Sequence, residues 1–285
     1  MVDGGRGDVF WGAVDPGLFL YHYTTKEAGL GNILPQRHLR LGPLSWTNDP
    51  RERQQWIVSL SGGPDPLPQP GEFQRIVYET DRLIKTRAKV VCLSRDDPDG
   101  MRKPPHENFA RGWAHSRMWA QYAGGHTGLC LVFERARLGD AMDPLRAFGR
   151  VWGEPVLYAN VPPSEVDAAT LYDINIRRDG LEDAVKAHIA QHYRALFFVK
   201  NLDWANEWEY RWVTDSGAPA PMFVDISSAL VAVIVGADFP EQEGDLLSSM
   251  TCAFPHEVQL GRCSWRNGAP FVFPGTTKIR PVAPP

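Results

Sequence analysis

The sequence predicts an α+β fold, a single domain over residues 1–285 with a mixed, largely antiparallel sheet and flanking helices. Three observations predict it. Several strand-like segments follow one another directly, helical segments interrupt them without strict alternation, and no tract separates two cores. A loose N-terminal segment, 1–15, and a C-terminal tail, 275–285, are expected at the ends.

LFLYHYT (18–24) alternates and is rich in aromatics, so it reads as a strand. TKEAGLGNIL (25–34) reads as a short helix, and PRERQQWIVSL (50–60) and EFQRIVYETDRLIKTR (72–87) as longer ones. SGGPDPLPQPG (61–71) and SRDDPDGMRKPPHEN (94–108) are Pro/Gly loops. KVVCLS (89–94) and GLCLVFE (128–134) read as strands flanking a short helix, SRMWAQYA (116–123). GRVWGEPVLYA (149–159) has strand character. LEDAVKAHIAQHYRALFFV (181–199) carries apolar residues at helical spacing and is the longest helix. WEYRWVT (208–214), MFVDI (222–226) and LVAVIVG (230–236) are strands, followed by a helix near 240–250 and the strand HEVQLGRC (256–263).

Bulk properties narrow the function classes. The 285 residues are 43% hydrophobic and 22% charged, as in ordinary globular proteins. A net charge of −4 gives polyanions no general attraction. MVDGGRGDVF lacks an apolar run, so no signal peptide is read. No stretch approaches the roughly 20 apolar residues of a membrane span. The four cysteines are scattered without a CxxC pair, as expected of free thiols in a reducing cytoplasm.

Several stretches combine structural and chemical readings. In YHYTTKEAGLGNIL, Thr24-x-x-Glu27 fits a capping box. His22 and Thr24 share one strand face, and Tyr21 and Tyr23 the other. A His and a Thr at a strand end can equally bind sugar hydroxyls and an amide. Asp49-Pro50-Arg51-Glu52 is a second capping box, with Pro at the first helical position. Asn48 and Arg51 are left over for a ligand. In SRMWAQYAGGHTG, Trp119 and Tyr122 lie three apart on a helix and can form core or stack on a flat ligand. Glycines 124, 125 and 128 would let a backbone approach that ligand, and His126 is expected to be exposed. HIAQH (188–192) has metal-ligand spacing, but no third ligand is evident and no metal site is expected. In WANEWEYRWV (204–213), a strand puts Glu207, Glu209 and Arg211 on one side and Trp208, Tyr210 and Trp212 on the other. The polar side can be a plain wet face. Alternatively, one carboxylate stabilises a developing cation on a sugar while the other orients or deprotonates a nucleophile.

The ordered set YHYT…L..IL, NDP.E, CLS, MW..YA..H.G.CLVF and FF.K…W..E.EYR resembles a bacterial domain-of-unknown-function family, numbered twenty-nine seventy-one, from about Leu20 to VAVIVGADFP. A strand bearing His-x-Thr before an L..IL helix is also similar to ADP-ribosyltransferase-like domains. That second resemblance implies an NAD site. His22 and Thr24 match the motif that with its neighbours holds the adenosine ribose and the nicotinamide end; beside the resemblance, Tyr23, Asn48, Trp119, Tyr122 and Arg211 are taken as further candidate binding residues. Tyr122 is the candidate for the stacking aromatic, Glu209 for the ribose-holding glutamate and Glu207 for its partner. It further implies that His22 and Glu209 lie on neighbouring strands with side chains entering a common cleft.

Three functions follow. The first is an NAD-dependent ADP-ribosyltransferase-like enzyme, transferase or glycohydrolase, possible as a toxin or phage-defence effector. Its substrate is NAD and its acceptor a protein, nucleic acid, small molecule or water. The second is a noncatalytic nucleotide-binding or interaction module retaining the fold. The third is a carboxylate-dependent hydrolase acting on nucleic acid with Mg²⁺.

Overall fold

The computed structural model describes residues 15–61, 69–103, 107–160 and 167–275. Apart from Asp15 and Gly275, the expected loose ends lie outside the described residues. So do parts of the two Pro/Gly loops.

In chain order the strands are β1 Phe19–Thr24, β2 His38–Pro43, β3 Ser59–Ser61, β4 Ala88–Arg95, β5 Leu129–Glu134, β6 Gly149–Pro155, β7 Leu157–Tyr158, β8 Thr170–Tyr172, β9 Val199–Lys200, β10 Glu209–Ser216, β11 Met222–Asp225, β12 Leu230–Val235, β13 Gln259–Arg266 and β14 Ala269–Gly275. The α-helices are α1 Lys26–Ala28, α2 Leu34–Gln36, α3 Pro50–Arg53, α4 Pro70–Arg87, α5 Ser116–Tyr122, α6 Arg135–Met142, α7 Asp173–Asp179, α8 Leu181–Phe197 and α9 Gly244–Cys252. The fold is α+β, as the sequence predicts.

Ten strands form one sheet in the order β11-β2-β4-β1-β5-β12-β13-β14, with β10 on β4 and β6 on β10. Within it only β12–β13 is parallel. The uninterrupted runs LCLVF and VAVIV form its centre. Their side chains are buried on both faces, against Leu138, Met142 and Leu247 on one and Trp113, Trp119 and Tyr23 on the other. A third cluster lies where α4 and α8 cover β4 and β10, through Ile84, Val185, Ile189 and Phe197 onto Val90 and Val213.

β4 organises the site. One edge pairs with β10 from Ala88↔Asp215 to Ser94↔Glu209. The other edge is shared: β2 takes Lys89 and Val90, and β1 takes Ser94 and Arg95. Over Val91–Leu93 the two partner strands diverge, and the sheet opens.

Local differences from the sequence reading have physical causes. The helix expected over 50–60 stops at Arg53. Trp56 is held in place instead, by its backbone N–H donating to Asp81 and its indole N–H to the Arg51 carbonyl. Thr25, not Thr24, caps the first helix by accepting from Ala28 N–H, and that helix continues through a π-helical turn over Gly29–Ile33. Asp49 does cap α3, accepting from Arg51 N–H. The reciprocal half of its capping box is not made, because Glu52 turns inward to Arg211.

Candidate functional site

The opening in the sheet is a cavity of about 390 Å³, within the usual range for small-molecule sites. Its walls include His22 and Tyr23 from β1, Arg40 and Gly42 from β2, Trp46 and Asn48 from the following turn, Tyr122 from α5, and Lys200, Glu207 and Glu209. Val90 to Ser94 all contribute, so the wall formed by β4 is its backbone edge rather than one face.

Nδ1 of His22 lies 3.1 Å from the Cys92 carbonyl oxygen and bridges the gap between β1 and β4. Burial, reinforced by the charge of Arg40, lowers the imidazole pKa despite that bond. The ring is therefore neutral at pH 7, with Nδ1–H as the donor.

Opposite stands a chain of polar groups that runs from exposed Asn48 inward to buried charges. Asn48 Nδ2 donates to the Tyr122 hydroxyl at 2.7 Å, and that hydroxyl donates to Glu207 Oε1 at 2.7 Å. Lys200 Nζ is 3.0 Å from Glu207 Oε2 and 2.7 Å from Glu209 Oε2, and lies over the Trp204 ring. Arg211 donates from Nε to Glu209 Oε1 at 2.7 Å, and from Nη1 to Glu52 Oε1 at 2.5 Å and to the Phe197 carbonyl at 2.7 Å. All five charged groups are buried.

Burial alone would raise the Glu209 pKa, but Arg211 and Lys200 outweigh it and hold the carboxyl at about 2. Burial likewise opposes the Lys200 ammonium, and Glu209 reverses that effect upward. Glu209 is thus a fixed negative charge and a poor proton acceptor. The Cys92 thiol beside it is pushed well up by burial and by Glu209, and stays protonated.

Of the nine candidate site residues, His22, Tyr23, Asn48, Tyr122, Glu207 and Glu209 line the cavity. Three do not. Thr24 is buried at the end of β1. Trp119 is fully buried, its indole N–H on the Trp113 carbonyl and its ring edge-on to Tyr23, so it cannot stack on a ligand. Arg211 is fully buried behind the wall, where it holds Glu209.

Other expectations change too. Glu207 closes a 3₁₀ turn over Leu202–Glu207 and is not part of the strand. Trp208 then takes a left-handed conformation (φ 47°), and β10 starts at Glu209. β1 and β10 are not neighbours, because β4 runs between them. By register Glu209 shares a face with Ser94 and Tyr21, while His22 alternates to the other face. Both reach the cavity only because the sheet is open there. His126 is half-buried between Trp119 and Trp265 rather than exposed. The glycine turn admits the chain's own backbone: a Cβ on Gly128 would fall 2.3 Å from the Thr24 carbonyl oxygen. His188 of the HIAQH pair bonds the Ala168 carbonyl oxygen.

Sequence reasoning missed Lys200 and Glu52 as parts of this site, and Arg40 and Trp46 as its lip. Lys200 carried a signal, because it stands between the apolar end of α8 and WANEWEYR. Glu52 was hidden by its capping-box spacing.

Fold and cavity together define an α+β protein with a ligand-sized cleft through its sheet. Over residues 118–212 the chain matches the family model described as a protein of unknown function (DUF2971). That match includes Tyr122, Lys200, Glu207, Glu209 and Arg211, and leaves out β1 and the turn bearing Asn48. It does not extend to ADP-ribosyltransferase-like domains. No curated protein and no solved structure matches the chain.

Proposed function

We propose that the protein cleaves the bond between nicotinamide and ribose in NAD and passes the ADP-ribosyl group to an acceptor, in the manner of an ADP-ribosyltransferase or glycohydrolase. The observation that carries this reading is the placement of Glu209, a carboxylate held ionised, beside Glu207 on the wall of a cavity whose opposite lip carries His22. At the Glu207 and Glu209 wall two carboxyl side chains and one ammonium face the space, with the Arg40 guanidinium at the lip, which favours the cationic nicotinamide end of NAD at that wall.

In the reaction the C–N bond breaks with its electron pair leaving on nicotinamide, and positive charge grows on the ribose. A preorganised carboxylate is worth more in that state than in bound NAD. Glu209 supplies the charge. Glu207, oriented by Tyr122 and Lys200, receives the proton that the attacking acceptor loses. His22 orients the ground state. Four free cysteines fit a cytoplasmic setting. Among the described residues no helix is long and apolar enough to cross a membrane.

The test is nicotinamide release from NAD, with and without cell extract. His22→Ala is expected to weaken NAD binding with little loss of turnover at saturation. A wild-type protein that neither binds nor cleaves NAD under any condition would sink the proposal. It would leave the second reading, a noncatalytic nucleotide-binding module. That reading is favoured by one feature: Glu209 already spends its charge on Arg211 and Lys200. Nothing supports the metal-dependent hydrolase, since among the described residues no three His, Cys, Asp or Glu converge as ligands.

A further inference from the structure

The carboxylates line one wall of the cavity, and its lip on β2 is different. Trp46 is 59% exposed, unusual for the largest apolar side chain, and it lines the cavity. Its ring is not loose. A Cβ on Gly42 would lie 3.2 Å from Trp46 Cε3, so the indole packs closely over the glycine backbone. Arg40, two residues earlier on the same strand face, places its guanidinium 5.4 Å from the ring centroid. Arg40 is exposed, lines the same cavity, and has no carboxylate partner among the described residues. It lies close enough to His22 to lower that imidazole's pKa. Across the β2–β11 pair Arg40 stands opposite Phe223, itself 54% exposed.

We propose that Trp46 and Arg40 form a nucleobase-and-phosphate subsite on the lip of the cavity. The exposed indole stacks a purine, and the Arg40 guanidinium, held over the same ring without a carboxylate partner among the described residues, takes the phosphates that lead from it into the cleft. The assignment to the adenosine diphosphate half of NAD rests on the function proposed above. The subsite itself rests only on the lip. The charge order supports it: carboxyl groups on the far wall and a guanidinium at the mouth suit a ligand with a cationic end inside and an anionic linker outside. Arg is the side chain that best matches phosphate geometry and also lies flat on an aromatic face. Stacking on an aromatic side chain is tolerant of the base, so the diphosphate as well as the purine sets the preference.

The experiment is calorimetric titration of the full chain with ADP, for wild type, Trp46→Ala, Trp46→Phe and Arg40→Ala. Both residues are exposed and outside the buried charge chain, so melting temperatures should stay close to wild type. Trp46→Ala should weaken ADP binding about tenfold or more, in line with the loss of one stacked base. Trp46→Phe should keep most of the affinity. Arg40→Ala should weaken it and flatten its salt dependence. Nicotinamide mononucleotide, which has a phosphate but no purine, should bind wild type and both Trp46 variants alike and lose affinity only in Arg40→Ala. No ADP binding by wild type, or equal ADP binding by wild type, Trp46→Ala and Arg40→Ala, overturns the subsite. So does an oligo-dA that binds more tightly than ADP with the salt slope of several phosphates, which would make the lip a single-strand surface. Nicotinamide release from NAD, followed in parallel, separates the two proposals. NAD cleavage without any effect of Trp46→Ala on ADP removes the subsite alone. ADP binding that depends on Trp46 and Arg40 without NAD cleavage removes the enzyme alone.

Discussion

The β4–β10 pair carries a buried charge cluster at each end, and the two ends differ in kind. At the Ser94–Glu209 end, Glu207, Glu209, Lys200, Arg211 and Glu52 meet, and three of them face the cavity. At the Ala88–Asp215 end, Arg87 donates from Nε to Asp215 Oδ1 at 2.8 Å and lies 3.3 Å from Glu182, while fully buried Lys89 bonds the Thr86 carbonyl. Glu182 is largely exposed, and none of these residues lines the cavity. A buried ion pair is therefore not a signature of a site in this protein. What separates the ends is access. The first cluster presents more carboxyl groups than cations to a ligand-sized space, whereas the second closes on itself under α4 and α8.

The sharpest way to break this comparison is to remove one carboxylate from each end. Glu209→Gln should slow nicotinamide release about a hundredfold or more, as for other electrostatic stabilisers. It should also cost about 3–5 kcal/mol of stability, because Arg211 and Lys200 lose a buried partner. Turnover must be read on protein shown to be folded. Asp215→Asn should cost a similar amount, about 3–5 kcal/mol in a denaturant melt, for the same reason at Arg87 and Lys89. Its folded fraction should turn over NAD at the wild-type rate. Equal turnover in both variants would erase the distinction between the two ends.

Acid sharpens it further. The folded pKa of Glu209 is depressed from 4.5 to about 2. Its contribution to stability is thus fully present above about pH 4.5 and is lost as pH falls through about 2. Melting temperatures across that window should fall less steeply for Glu209→Gln than for wild type. Parallel curves would show that the pairing does not hold the carboxyl as low as described.

Smaller effects are expected nearer the surface. Asp49→Ala should lower stability by about 1 kcal/mol through the lost helix cap, with ligand affinity nearly unchanged. A large loss of binding with an unmoved melt would make Asp49 a site residue instead. Glu182→Ala should change stability by about 0–1 kcal/mol, since solvent screens its pairing with Arg87. A loss of several kcal/mol would mean that the closed end depends on its exposed member.

The parts of the fold that could be read from the sequence are those whose side chains repeat with a period. β1, β5, β12, α4 and α8 showed their alternation or their 3.6-residue spacing, and the structure has them within a few residues. β2 was missed although Leu39 and Leu41 alternate with His38 and Arg40, because the alternation is short and runs into Gly42 and Pro43. The helix expected over 50–60 was extended too far because nothing local stops it at Arg53. Asp81, on a separate helix, holds the Trp56 backbone in its extended place. The carboxyl pair of the site stood out because Glu207 and Glu209 lie two residues apart. Their cations did not, since Lys200 pairs by tertiary folding. Trp119 illustrates the reverse error: an aromatic near glycines reads as a stacking platform until its burial is known. The gap that makes the cavity arises because two strands share one edge of a third, and no local pattern encodes that.

The bond between Glu52 and Arg211 joins residues 159 apart in the chain. A ribosome adding roughly 5–20 residues per second leaves Glu52 waiting about 8–32 seconds for its arginine. In that interval Glu52 has no guanidinium to bond, and the emerging N-terminal portion lacks the Glu207 and Glu209 wall of the cavity. A nascent chain therefore lacks the Glu209 side of the cavity until β10 has cleared the exit tunnel. Premature termination anywhere before Arg211 yields a product in which Glu52 lacks the guanidinium it pairs with in the folded protein.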